Sequence, residues 1–237
     1  MAEYLVFTLE ARLASFGDLA GHERRGSDTW PGRSALIGLL GAALGTRRDD
    51  VAGQEALRGL SFAVAAYDTG TPLRDYHTVQ TVHQKVKRPT TRAAALAEAR
   101  RRDALNTMIT LRDYRSGVLY AVAAWGGPVP LERLKAALER PHFTLWLGRK
   151  SCPLSAPVMA GTVVADDPVA ALTHAALPPW RRSKDGASPA PRFIASDVFP
   201  GIDDRASSVE WRHDEPLDRG RWHFAAREVR FLREART

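Results

Sequence analysis

The sequence predicts an α+β fold on the ferredoxin-like or RRM-like plan. Two observations point there. Apolar periodicity falls in the order strand, helix, strand, strand, helix, strand, and a polar, basic segment interrupts that order between the second and third strands. The totals agree: 237 residues with 44% hydrophobic and 26% charged side chains suit a globular chain with a real core.

The elements follow in order. Residues 4–11 alternate, with Leu5, Phe7 and Leu9 on one side and Tyr4, Val6 and Thr8 on the other, which predicts a buried strand. A polar, Gly-bearing loop is expected next. Leu36, Leu39, Leu40, Ala43 and Leu44 then recur at helical spacing, with Ser34 as the expected N-cap and Gly45 as the stop. Residues 60–67 read as a strand ended by the turn DTGTP. Residues 107–114 and 118–125 read as two strands joined by a hairpin turn at Arg115-Ser116-Gly117. A helix follows with Pro130 in its first turn, Leu131, Leu134 and Leu138 on one face, and Pro141 as its end. Phe143, Leu145 and Leu147 predict another strand. Asp166-Asp167-Pro168 should cap a short helix reaching Leu177, and a Pro- and Ser-rich loop follows. Strands are expected over 209–212 and 222–232, the last with a bulge near Arg227.

Charge narrows the partner. The net charge is +7 and the isoelectric point about 10, which favours a polyanion. Between Leu73 and Arg115 there are ten basic and four acidic residues, a surplus of +6. No apolar run approaches the roughly 18 residues of a membrane span, and the start resembles no signal peptide. One cysteine, Cys152, forms no internal disulfide. A cytoplasmic setting is expected.

Three constellations could carry chemistry. Arg24-Arg25-Gly26-Ser27 through Arg33-Ser34 places arginines beside a helix start, which suits phosphate, although a capped surface loop would look the same. The following GRSALIGLLGAALG lacks the Walker A spacing. Arg74-Asp75-Tyr76-His77-Thr78 offers a stacking ring and polar donors for splayed RNA bases. His77 there reads equally as a structural hydrogen-bonder or a general acid or base. Leu147-Gly148-Arg149-Lys150-Ser151-Cys152 follows an expected strand, with two cations for phosphates and a thiol that reads as buried or, with lowered pKa, as nucleophilic. The seven histidines show no metal-ligand spacing, so neither a metal nor a cofactor is expected.

These segments, in this order, resemble the CasD family of type I-E CRISPR Cascade subunits, in the Cas-five group of the RAMP superfamily. The resemblance lies in YLVFTLEARLASFGD, RRGSDTWPGRSALIGLLGAALGTRRDD, DYHTV, LGRKSCPLSAPV and FAAREV, and spans most of the chain. Gly32 departs from the pattern, where threonine is expected, at the cost of one hydroxyl donor.

The resemblance implies a modified RRM-like domain over residues 1–155, with a long β-hairpin thumb inserted at about 75–113. A smaller C-terminal β-rich portion would occupy 156–237. It implies a non-catalytic RNA-binding subunit that caps the 5′ handle of the guide crRNA in a hetero-oligomeric antiviral complex. Partners would be the CasC backbone subunit, the large CasA subunit and, through the assembled ribonucleoprotein, target DNA; no membrane is implied. Expected RNA contacts are Ser15, Gly17, Arg24, Arg25, Arg33, Ser34, Tyr76, His77, Thr78, Lys85, Lys87, Arg88, Arg149, Lys150 and Ser151. Cousins that cut RNA without metal keep an alternative open: an endoribonuclease using His77 and Tyr76, with Lys85 or Lys87 against the phosphorane charge. A general RNA-binding protein outside CRISPR is a third reading.

Overall fold

Two strands dominate the architecture, one of 23 residues and one of 22, paired along their whole length. In the computed structural model, residues 1–21, 23–82, 91–182, 186–221 and 223–232 are described. Strand β1 (Ala2–Ala14) leads into a small antiparallel pair, β2 (Phe16–Ala20) and β3 (Arg24–Asp28). The expected loop is therefore a hairpin. Helix α1 (Arg33–Leu44) follows and ends at Gly45, whose φ of 80° is the left-handed stop predicted for it.

The N-cap of α1 is Gly32, not Ser34. The capping group comes from the far end of the chain: the Asp214 carboxylate accepts the Arg33 N–H at 2.7 Å. A Cβ at position 32 would overlap that carboxylate, so the glycine makes room for a cap supplied from elsewhere. Helix α2 (Val51–Arg58) was not legible, because its eight residues bury only Leu57.

Strand β4 (Leu60–Val82) runs straight through DTGTP, and β5 (Leu105–Gly126) straight through Arg115-Ser116-Gly117. Neither sequence is a turn. Thr69 pairs with Val118 and Thr71 with Ser116, so Gly70 (φ 69°) and Gly117 (φ 78°) lie at one level of the ladder. A register shift sits just before them, between Ala66 and Asp68. With the bulge beside them, the glycines bend the paired strands without reversing either. Beyond the bend the arms continue as a hairpin, from Leu73↔Tyr114 to Val82↔Leu105, and helix α3 (Arg92–Arg101) lies near the tip. This is the inserted thumb.

Helix α4 (Leu131–Glu139) buries Leu134 and Leu138 as predicted. No strand forms at 143–147: Leu145 and Leu147 are buried, but the segment makes only a single bridge, Trp146 to Pro153. The fourth strand of the pattern is β6 (Gly161–Ala165) instead. The order β6-β1-β5-β4, antiparallel throughout, is the ferredoxin-like arrangement. Helix α5 (Pro168–Leu172) is capped by Asp167 and is shorter than expected.

Strands β7 (Phe193–Ser196), β8 (Ser208–Asp218) and β9 (His223–Leu232) extend the sheet from the β4 edge in the order β4-β7-β9-β8. Trp222 lies outside the described residues. The register shifts level with Arg227, where a bulge was expected, but the extra residue is on β8, between Arg212 and Glu215.

Both faces of the sheet body are covered. Leu5, Phe7, Leu9, Phe62, Val64, Tyr120 and Val122 pack with α1 and α4. Tyr4, Val6, Ala63, Ala65, Ala121 and Ala123 pack with residues of α5 and with Phe199. Among the described residues, no helix is long and apolar enough to cross a membrane.

Candidate nucleic-acid interface

The base of the thumb is where the predicted basic segments meet. Strand β3 lies parallel to β5 there, with Arg24 beside Leu111 and Arg25 beside Arg112. Arg24 and Arg74 reach the same carboxylate from the two strands that flank β5. Arg24 approaches Asp113 at 3.2 Å, and Arg74 makes a two-pronged contact at 2.6 and 3.1 Å. Both arginines remain more than half exposed, while the Asp113 side chain is 17% exposed. The Arg74 hydrogen bond, seconded by Arg24, holds the Asp113 carboxyl below its ordinary range despite partial burial.

The Gly148 loop docks onto the same place. Gly148 has φ 89°, and a Cβ there would overlap the backbone carbonyl of Ser15. Only glycine allows this approach, which is fixed by the Ser15 N–H donating to the Leu147 carbonyl at 3.0 Å. Arg149 then lies 4.6 Å above the Tyr114 ring and donates to the carbonyls of Asp113 (3.2 Å) and Arg25 (3.1 Å). Ser15 donates to the Asp113 carbonyl at 3.1 Å. A hydrogen bond from Ser151, with Arg149 assisting, holds the Tyr114 phenol below its ordinary pKa against the opposing effect of burial.

Two guanidinium groups, those of Arg24 and Arg74, thus share the Asp113 carboxylate, and a third, that of Arg149, holds the same residue by its backbone carbonyl. The surplus is positive, and although Asp113 occupies the two-pronged edge of Arg24 and of Arg74, both side chains keep more than half their surface in solvent, where a guanidinium suits phosphate. Arg25, Gly17, Lys150 and Ser151 are exposed around this cluster. Lys150 lies 5.9 Å from the Trp146 ring.

Other predicted residues are elsewhere. Arg33 is buried and faces the C-terminal strands, so its expected role as a phosphate contact is corrected. It pairs with Asp197 at 2.9 Å and with Glu215, and donates to the Arg58 carbonyl. With its charge paired twice and little solvent access, it is not placed to meet a phosphate. Ser34 is half-buried in α1, where its carbonyl accepts from Arg219. Tyr76, His77 and Thr78 stand exposed farther out on the thumb. They are consecutive in a paired strand, so Tyr76 and His77 point to opposite faces. That geometry does not assemble the two into one acid–base pair. Lys85, Lys87 and Arg88 lie outside the described residues. Cys152 is fully buried and burial pushes its thiol up, which removes the nucleophile reading.

Sequence reasoning placed Arg74 at the head of a constellation without expecting it to contact RNA, and missed Asp113 as a site residue. Asp113 entered only as a deduction from a charge count. Its partners are 39 and 89 residues distant, so nothing local marked it.

Comparison with known proteins places the chain in a family. The family description CRISPR-associated protein (Cas_Cas5) matches residues 4–230. The chain is 34% identical over 186 residues to the CRISPR system Cascade subunit CasD of Escherichia coli (strain K12), covering 73% of this chain and 77% of that one. Among solved structures, it is similar to a chain of a CRISPR RNA-guided surveillance complex, with TM-score 0.66, 25% identity, and coverage of 97% of this chain and 89% of the other. It shares its fold with a Cas protein crystal structure at TM-score 0.59 and 24% identity, covering 97% of this chain and 94% of that one. A match over nearly the whole length, together with a curated relative at this identity, makes the chain a member of the Cas5 family of CRISPR-associated proteins.

Proposed function

We propose that this chain is a non-catalytic subunit of a type I-E Cascade complex that grips the 5′ handle of the guide crRNA. The observation that carries the reading is the convergence of Arg24, Arg74 and Arg149 on the thumb base, with one carboxylate among them. Handle phosphates would lie along Arg24, Arg25, Arg74, Arg149 and Lys150. The exposed ring of Tyr76 would meet a base, as aromatic rings do in single-strand recognition. The thumb would fold over the guide toward the CasC backbone subunit, with CasA docking nearby and target DNA bound by the whole assembly. The opposite facing of Tyr76 and His77 favours holding RNA over cutting it.

The test replaces Arg149 and Lys150 together by alanine. Guide RNA co-purifying with the complex should fall, and affinity for the isolated guide should drop about tenfold or more at moderate salt, with a shallower salt dependence as phosphate contacts are lost. Unchanged guide retention and unchanged assembly would overturn the assignment.

A further inference from the structure

A carboxylate inside a phosphate-gripping cluster is costly for RNA affinity, since it repels the ligand and cancels one of three arginines. Its presence asks for a physical reason, and its contacts supply one. Four separate segments build the thumb base: the end of β1, strand β3, strand β4 and the Gly148 loop. Asp113 touches all four. Its carboxylate holds Arg24 of β3 and Arg74 of β4. Its carbonyl accepts from Ser15 at the end of β1 and from Arg149 of the Gly148 loop. No other residue described at this site bridges as many of them. Long, exposed arginines would otherwise sample many rotamers and follow any polyanion.

We infer that Asp113 is a positioning residue that sets RNA specificity. It trades some attraction for a fixed spacing of the Arg24 and Arg74 guanidinium groups, so that a backbone of one shape is gripped better than others. The inference rests on the guide-holding reading above and deepens it. It makes a prediction that an attraction-only site does not: removing the negative charge should help the wrong RNA and harm the right one.

The experiment uses the full chain and two probes, repeat-derived RNA from the host's own CRISPR array and a shuffled RNA of equal length. Asp113→Asn keeps the backbone carbonyl, and hence the Ser15 and Arg149 contacts, while removing the charge. The expected result is about a tenfold loss of affinity for the repeat RNA, an equal or tighter grip on the shuffled RNA, and a steeper salt dependence for the latter as the arginines are freed. Asp113→Glu, which keeps the charge, should recover part of the preference. If Asp113→Asn tightens both RNAs alike or changes neither, the positioning role is overturned while the guide-holding reading stands. If the unaltered chain holds neither RNA, both fall. Should Asp113→Asn melt early, Arg74→Lys tests the same point, because it keeps a cation but loses the two-pronged contact. Preserved preference in Arg74→Lys would overturn the inference.

Discussion

Strands β4 and β5 stay paired from end to end, yet their two halves live in different surroundings. In the body, Phe62 to Ala66 and Val118 to Ala124 are buried on both faces. Past Gly70 and Gly117 the same ladder leaves the two packed layers: Tyr114 lies under Arg149 at its base and α3 near its tip, while Leu73, Tyr76, Met108 and Ile109 stand in solvent. The backbone hydrogen bonds are alike in the two halves, so pairing alone does not explain the contrast. What changes is who covers the side chains. The body spends its surface on the core, and the thumb leaves apolar side chains in solvent, the surface that the proposed function would give to a partner. The difference teaches that buried and exposed surface are divided along one pair of strands, with the glycine bend as the boundary, and on the proposed reading stability and recognition are divided there too.

The largest effect that would probe the division belongs to the body. Asp197 accepts from Arg33 and Arg227 and from the Phe62 N–H at 2.8 Å, and so ties α1 and β4 to the C-terminal strands. Asp197→Ala leaves two buried guanidinium groups with a partner missing. The expected cost is about 3–5 kcal/mol, read as a large drop in the urea or thermal midpoint. A midpoint shift no larger than that of a surface substitution would show that these C-terminal strands are held by packing instead.

A middle effect is expected at the boundary. Gly148→Ala places a Cβ against the Ser15 carbonyl at a φ of 89°. The strain should cost about 1–3 kcal/mol. Because the loop carries Arg149, guide affinity should fall further than the melting temperature suggests. Equal losses in the two would mean that the loop supports the body and not the site.

The same division explains what the sequence could reveal. Where a short run is buried on both faces, as in β1, or buried side chains recur at helical spacing, as in α1 and α4, the elements were legible, because burial writes an apolar pattern into the chain. DTGTP and Arg115-Ser116-Gly117 read as turns because glycine signals a reversal when its cross-strand neighbour is unknown. Here each glycine sits at the level of the other, and the chain bends without turning. Phe143, Leu145 and Leu147 alternate like a strand, but two of them anchor a loop to the core without a ladder beside them. At the site, Arg24, Arg25 and Arg149 stood out because each lies in a short run with glycine and hydroxyl residues. Arg33 looked the same and was misread, since its partners Asp197 and Glu215 are 164 and 182 positions away in the chain. Ion pairs of that sequence separation leave no local trace, and Asp113 was hidden for the same reason.

The smallest effect on stability, and the sharpest test of the comparison, lies out on the thumb. Tyr76 is 62% exposed and opposite Leu111. Tyr76→Ala removes little packing, so the midpoint of unfolding should move by no more than about 0.5 kcal/mol. If the ring stacks on a guide base, the same substitution should weaken guide binding by about 1–3 kcal/mol, a loss insensitive to salt because stacking releases no counterions. Its salt dependence should therefore overlay that of the unaltered chain, whereas the Arg149 and Lys150 double substitution should flatten it. A thumb residue whose loss lowers stability as much as a body residue would erase the boundary drawn at Gly70 and Gly117. One whose loss leaves both stability and guide binding untouched would restrict the gripping surface to the arginines at the base.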